Sequence, residues 1–138
     1  MIRKHIYIWQ SGEPLHIDTK NHNPMRAISL SNFLIKKNFK VTLISSNFDH
    51  TYKKFRFKNI NKFKILKINQ KLNLVLINSI GYKKNISLQR LLDHFNLAAN
   101  LNFFLKQVKT KPDFAFIGFP PIEPAIIFSR WLIKNNIK

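Results

Sequence analysis

Cysteine is missing from this chain altogether. Its absence excludes a disulfide framework, a thiolate zinc site and a cysteine nucleophile, and it fits a reducing compartment. Long apolar runs are missing too. None approaches the roughly 20 residues that span a bilayer, and the N-terminus lacks the apolar core of a signal peptide. Glycine occurs three times. Gly12 stands alone after the first strand-like run, so the GxGxxG dinucleotide fingerprint is absent, and neither GxxxxGK[ST] nor GxSxG occurs. Acids are scarce, with six Asp and Glu against 24 Lys and Arg.

What remains is enough for one domain, residues 1–138. Its apolar content is ordinary, 45% of residues, so the chain is expected to fold. The formal charge of +18 has two readings. Lysine, asparagine, isoleucine and phenylalanine are abundant, and each can be encoded by A/T-only codons, a drift that raises lysine without any partner. Alternatively the charge attracts a polyanion, either nucleic acid or an anionic membrane surface. The densest basic run is Lys53, Lys54, Arg56, Lys58, Lys62, Lys64, Lys67 and Lys71. Tyr52, Phe55, Phe57 and Phe63 interleave with it, as aromatics do in single-strand binders. No RNA-recognition signature accompanies the run. A solvated basic loop or hairpin is therefore the plainer reading, and nucleic acid is the less favoured partner.

The pattern of apolar residues predicts an α/β domain. Lys4–Trp9 and Val41–Ser45 read as strands covered on both faces. Between them Ala27–Lys37 reads as a helix, with Met25, Ile28, Leu30, Phe33 and Leu34 on one face, Asn23 as its cap and Pro24 at its first position. One crossover of this length makes the two strands parallel. Residues 46–60 read as polar, basic loop. Phe63–Ile68 and Leu72–Asn78 read as a strand pair at a sheet edge. Gly81–Asn85 is a turn, and Ser87 caps a long helix to about Lys109, with Leu88, Leu91, Leu92, Phe95, Ala99 and Phe103 on its stripe. Asp113–Gly118 is a third core strand and Pro124–Lys134 a last helix. This order gives a doubly wound, mostly parallel sheet. The chain stops at Asn136-Ile137-Lys138, where another parallel strand is due, so the architecture is expected to be incomplete.

The few acids and histidines gather in the loops that follow the strands. Glu13, His16, Asp18 and His22 follow the first strand, Asp49 and His50 the second, and Glu123 the third; only Asp93 and Asp113 fall elsewhere among the acids. In a parallel sheet these loops emerge on one edge, where open α/β sheets bind ligands. Loops are polar in any case, but acids this scarce make poor filler. His16 and His22, six apart in a loop, are a weak metal spacing, and no metal is expected. Arg26, in the first helical turn, can hold a carboxylate or phosphate with its guanidinium fork, or be a plain surface arginine.

Four segments in order carry a resemblance to a known family: IYIWQSGEPLHIDTKNHNPMRAISLSNFL, VTLISSNFDHTYKKFR, GYKKNISLQRLLDH and KPDFAFIGFPPIEPA, spanning residues 5–125. They resemble the N-terminal domain of glycosyltransferase family 4, in the subgroup of bacterial surface-polysaccharide enzymes. The first loop lacks the Gly-Gly pair of relatives. The resemblance implies a GT-B fold, two Rossmann-like domains across a cleft, of which this chain is the acceptor-side half; the donor half and its paired-glutamate motif are absent. It implies retaining transfer of a sugar from a nucleotide-sugar donor to a lipid-linked or saccharide acceptor, without a cofactor, and inactivity of this half alone. A separate chain could supply the donor half.

By the same resemblance, Glu13 and Arg26 belong to the cleft, Arg26 toward the diphosphate. Asp49 and His50 sit at the second-strand mouth. There His50 either bonds an acceptor hydroxyl or braces a loop with Asp49. Tyr82, Lys83, Lys84 and Asn85 form an acceptor-side loop, the lysines meeting a lipid diphosphate or anionic headgroups. Pro120, Pro121 and Glu123 shape the third-strand mouth, where Glu123 also suits a helix N-terminus. The implied location is cytoplasmic, with peripheral contact at the inner face of the cell membrane left open. The reading from another class is a stand-alone basic module that binds nucleic acid or an anionic membrane.

Overall fold

Strands β1 (His5–Trp9) and β2 (Lys40–Ser46) are buried over nearly their whole length, as expected of apolar runs covered on both faces. The computed structural model describes residues 4–18 and 23–138. β1 and β2 pair in parallel, with Ile6 opposite Val41 and Ile8 opposite Leu43. Their side chains alternate between two cores. Ile6 and Ile8 face one apolar cluster, while Tyr7 and Trp9 face the other.

Helix α1 (Arg26–Lys36) joins β1 to β2 and packs on the first cluster. Its cap is not the one the sequence suggests. Met25, not Asn23, is the N-cap, and it has no side chain able to cap. Glu13 supplies the missing acceptor from the preceding loop: its Oε2 takes the Ala27 N–H at 2.9 Å. That anchor sets the helix phase. Ala27, Ser31 and Leu34 are buried, whereas Met25 and Phe33, expected on the inner face, are exposed. Buried Ser31 is tolerated because its hydroxyl donates to the Ala27 carbonyl at 2.7 Å.

The segment expected to be loop after β2 carries a small antiparallel ribbon, β3 (Phe48–Asp49) with β4 (Lys54–Phe55). Then β5 (Phe63–Lys67) and β6 (Leu72–Ile77) form the expected antiparallel pair. β6 is not itself an edge, because it also pairs in parallel with β2. Helix α2 (Leu88–Gln107) is capped by the Ser87 hydroxyl, which accepts the Arg90 N–H at 3.2 Å. Strand β7 (Phe114–Ile117) pairs in parallel with β1, and α3 (Ile122–Lys134) follows, starting two residues before the expected Pro124.

The sheet order is β5-β6-β2-β1-β7. It is a mixed sheet: four neighbouring strands are parallel and β5 is an antiparallel edge. α1 covers one face, while α2 and α3 cover the other, where Trp9, Ile44 and Ile77 of the sheet share one cluster with Leu101 of α2 and Phe128 of α3. Two sequence expectations change here. β7 is a half-buried edge with Phe116 and Ile117 exposed, not a core strand. α2 turns its expected inner stripe outward. Asp93, Leu97, Ala98, Leu101, Phe104 and Leu105 are buried, while Leu88, Leu91, Leu92, Phe95, Ala99 and Phe103 are exposed. α2 carries apolar residues on both sides, so periodicity alone offers two solutions.

Candidate functional site

β1 sits between β2 and β7, so the chain leaves β1 toward one side of the sheet and later returns on the other. A crevice opens at such a reversal, beyond the carboxyl ends of the strands. An open cavity of about 210 Å³ occupies it. The loop after β1 gives it Gln10, Ser11, Gly12 and Glu13; α1 gives Arg26; the end of β2 and the loop beyond give Ser46, Phe48 and His50. Tyr82 and the inner side of α2 (Arg90, Asp93, His94, Leu97) form a wall, and Pro120 and Pro121 after β7 close it.

Of the residues singled out from the sequence, Glu13, Arg26, His50, Tyr82, Pro120 and Pro121 therefore meet in one cavity. Their roles differ. Glu13 is only 4% exposed, and both its oxygens are engaged, one by Ala27 N–H and the other by Arg26 Nε at 2.9 Å. It positions the loop and the helix; Arg26, whose side chain is 76% exposed, is the group with freedom to meet a ligand. Asp49 is buried and caps its own turn, accepting the Thr51 and Tyr52 N–H groups at 2.9 and 3.1 Å. It lines a neighbouring depression with Asp18 and Arg56, not this cavity. Glu123 stands beside it, with Oε2 3.4 Å from His94 Nδ1. Lys83, Lys84 and Asn85 are exposed on the surface next to Tyr82 and do not line the cavity.

Arg56 belongs to the basic run in sequence but not in space. Its side chain is 7% exposed and forks onto Asp18 at 2.7 and 2.8 Å, with the Ser46 carbonyl at 3.1 Å and Asp49 at 3.9 Å. Asp18 in turn accepts the Leu15 N–H at 2.8 Å. This arginine ties the loop after β1 to the loop after β2, which holds the cavity's two walls in register. His16 bonds Asn32 at 3.3 Å; His22 lies outside the described residues. Among the described residues no group of three or more His, Asp or Glu could hold a metal ion.

The rim is cationic and polar. Tyr82 is a buried phenol whose OH meets His50 Nδ1, and Lys53 Nζ approaches the same nitrogen at 3.4 Å. The Lys53 ammonium can only donate, so toward it Nδ1 accepts and Nε2 carries the ring proton, and the Tyr82 hydroxyl, able to donate or accept, then donates. Burial, then Lys53 and Arg90, hold the His50 pKa below 6.5, which keeps the ring neutral near pH 7. Burial raises the Tyr82 phenol, so it stays protonated and can donate. Lys53 stacks over the Tyr82 ring at 4.5 Å and Arg90 at 5.7 Å, while Lys53 also bonds Asn85. Partial desolvation and then Arg90 lower the Lys53 ammonium.

No protein family, curated protein or solved structure matches the chain. The resemblance to the glycosyltransferases thus stands on its four segments, and the chemistry of the cavity has to be argued from its own residues.

Three of the cavity's titratable residues were not marked by the sequence. Asp93, set aside as a mid-helix acid, is 3% exposed and accepts the Gly81 N–H at 2.7 Å, pinning the Tyr82 turn to α2. Gly81 has φ +74, a conformation glycine adopts without strain, and Phe48 and Phe55 leave no room for a Cβ. Arg90 and His94 face the cavity because α2 is rotated from its expected phase. A polar Asp-His pair one apart on a helix otherwise rich in leucine and phenylalanine was the available signal: an acid on the inner side of such a helix needs a partner there.

Proposed function

We propose that this domain is the acceptor-side, Rossmann-like half of a GT-B glycosyltransferase. Its cavity receives the phosphate-bearing end of a lipid-linked or saccharide acceptor in surface-polysaccharide synthesis. The observation that carries the reading is the convergence of the loops after β1, β2 and β7 on one cavity, with Arg26, Arg90, His50 and His94 on its wall. The acids at this end are already engaged. Glu13 is held by α1 and Asp93 by Gly81, leaving the arginines as donors to an anion. The four segments of family resemblance support the choice of sugar transfer over other anion chemistry. On this reading the nucleotide-sugar donor and the paired-glutamate motif belong to the other half of the enzyme, in the same or another chain, and no sugar moves without it. Neutral His50, bearing its proton on Nε2 and braced by Tyr82, is the group that orients an acceptor hydroxyl; positioning and anion stabilisation make up this half's share of catalysis.

The test is calorimetric titration with a short-chain prenyl diphosphate-linked N-acetylhexosamine. Saturable binding is expected, weakened about tenfold or more in Arg90→Ala, the loss of one charge-assisted bond. Absence of saturable heat at millimolar ligand, or wild-type affinity in both Arg90→Ala and Arg26→Ala, would contradict the reading.

A further inference from the structure

The outer face of α2 is the largest chemical anomaly outside the cavity. A helix on the surface of a sheet normally turns polar residues outward. Here Leu88 is 72% exposed, Leu92 52%, Phe95 56% and Phe103 40%. Their spacing puts them on one line along a 20-residue helix, about 30 Å long. Ile86, just before the cap, is 96% exposed and extends the line. A contiguous apolar surface of this kind marks an interaction site.

Charge decides what covers it. Lys62 reaches over the Phe103 ring at 3.8 Å, Lys106 lies at the same helical phase as Leu88 and Leu92, and Lys83 and Lys84 flank the start of the helix. The one acid on α2, Asp93, is buried. The other five acids lie elsewhere: Glu13 is held by α1, Asp18 by Arg56 and Asp49 by its own turn, exposed Asp113 accepts the His5 N–H at the start of β1, and Glu123 stands beside His94 on the inner side of α2. The face therefore has apolar side chains bordered by cations, with no carboxylate on the outer side of α2 to offset them. A second copy of a chain with net charge +18 would be repelled. Nucleic acid would satisfy the lysines but leave the leucines and phenylalanines in water. An anionic lipid surface satisfies both, taking the apolar side chains among its acyl chains and the lysines among its headgroups.

We propose that α2 docks this domain in the plane of an anionic membrane through Leu88, Leu92, Phe95 and Phe103, with Lys62 and Lys106 at the headgroups. No helix among the described residues is long and apolar enough to cross a membrane, so the contact is interfacial. Arg90 and His94, on the other side of the same helix, then hold the cavity close to the lipid surface. The docking stands on α2 alone, so failure of acceptor binding in the cavity leaves it intact, and the reverse.

The test is flotation of the purified chain with vesicles of phosphatidylglycerol and phosphatidylcholine against vesicles of phosphatidylcholine alone, at about 0.15 M salt. Leu92→Gln/Phe95→Gln removes apolar area from an exposed face without touching the core, and circular dichroism checks that it folds. Flotation with the anionic vesicles only, reduced about tenfold or more in this variant, is expected. In Phe95→Trp, indole emission shifted to the blue and quenched by brominated acyl chains is expected as well. Three results would overturn the proposal. One is no flotation with anionic vesicles. Another is equal flotation of wild type and the double variant, which would leave charge alone as the cause. The third is self-association abolished by the double variant without vesicle binding, which would make a second copy the occupant.

Discussion

Replacing Glu13 separates a positioning role from a ligand-binding one. Glu13→Ala removes the acceptor of the Ala27 N–H, a donor on a residue only 2% exposed. Leaving such a group unpaired costs about 1–3 kcal/mol. The lost contact with Arg26 adds about 0–1 kcal/mol, because that side chain is mostly in water. Together they span about 1–4 kcal/mol, centred near 2–3. Glu13→Gln keeps an oxygen for Ala27 and loses only the charge, so it should cost about 1 kcal/mol or less. Urea unfolding followed by circular dichroism reads both; with a slope of about 1–3 kcal/mol per molar, the alanine variant should shift the midpoint by about 1–2 M. If Glu13→Ala changes stability by less than about 0.5 kcal/mol, or if the two variants are equally destabilised, the helix-anchoring account is wrong.

Three further outcomes follow from the same contacts. Arg56→Leu strips the buried partner from Asp18 and should cost about 3–5 kcal/mol, read in the same unfolding assay; a loss under about 1 kcal/mol would refute the loop tie. Gly118→Ala drives a Cβ into Gln10 Oε1 and to 2.8 Å from the Trp9 carbonyl oxygen, so about 1–3 kcal/mol is expected, and adding Gln10→Ala should recover only the side-chain part. His5 is held to about 4, chiefly by burial and then by Lys40, and its Nε2 meets Thr42 Oγ1 at 2.8 Å. Its folded pKa lies below the unfolded 6.5, as does that of His50, so the unfolded chain binds more protons between those values. Stability should fall as pH drops from about 7 towards 4, and His5→Gln should flatten the thermal-melt profile; a profile independent of pH in that window would contradict it.

How far these features could be read in the sequence depends on whether their cause is local. β1 and β2 are continuous apolar runs, and a strand covered on both faces has no other appearance. Ser87 is three residues from the N–H it caps, so its role was visible. The start of α1 was not, because its cap comes from Glu13, 14 residues away from Ala27. The phase of α2 was not, because leucine and phenylalanine occupy both sides and the choice is made by what the sheet and α3 can cover. That single ambiguity hid Arg90 and His94 from the candidate site. Arg56 stayed in a basic run for a separate reason: its partner Asp18 lies 38 residues away.

The most direct measurement of the central claim is amide NMR mapping of the same short-chain diphosphate-linked sugar on the isotope-labelled chain. The account predicts saturable shifts at Ser11, Gly12, Glu13, Tyr82, Arg90 and Ile122, with the ribbon residues Lys53–Arg56 affected only where they adjoin Tyr82. Shifts spread along Lys58–Lys71, or none that saturate, would contradict it.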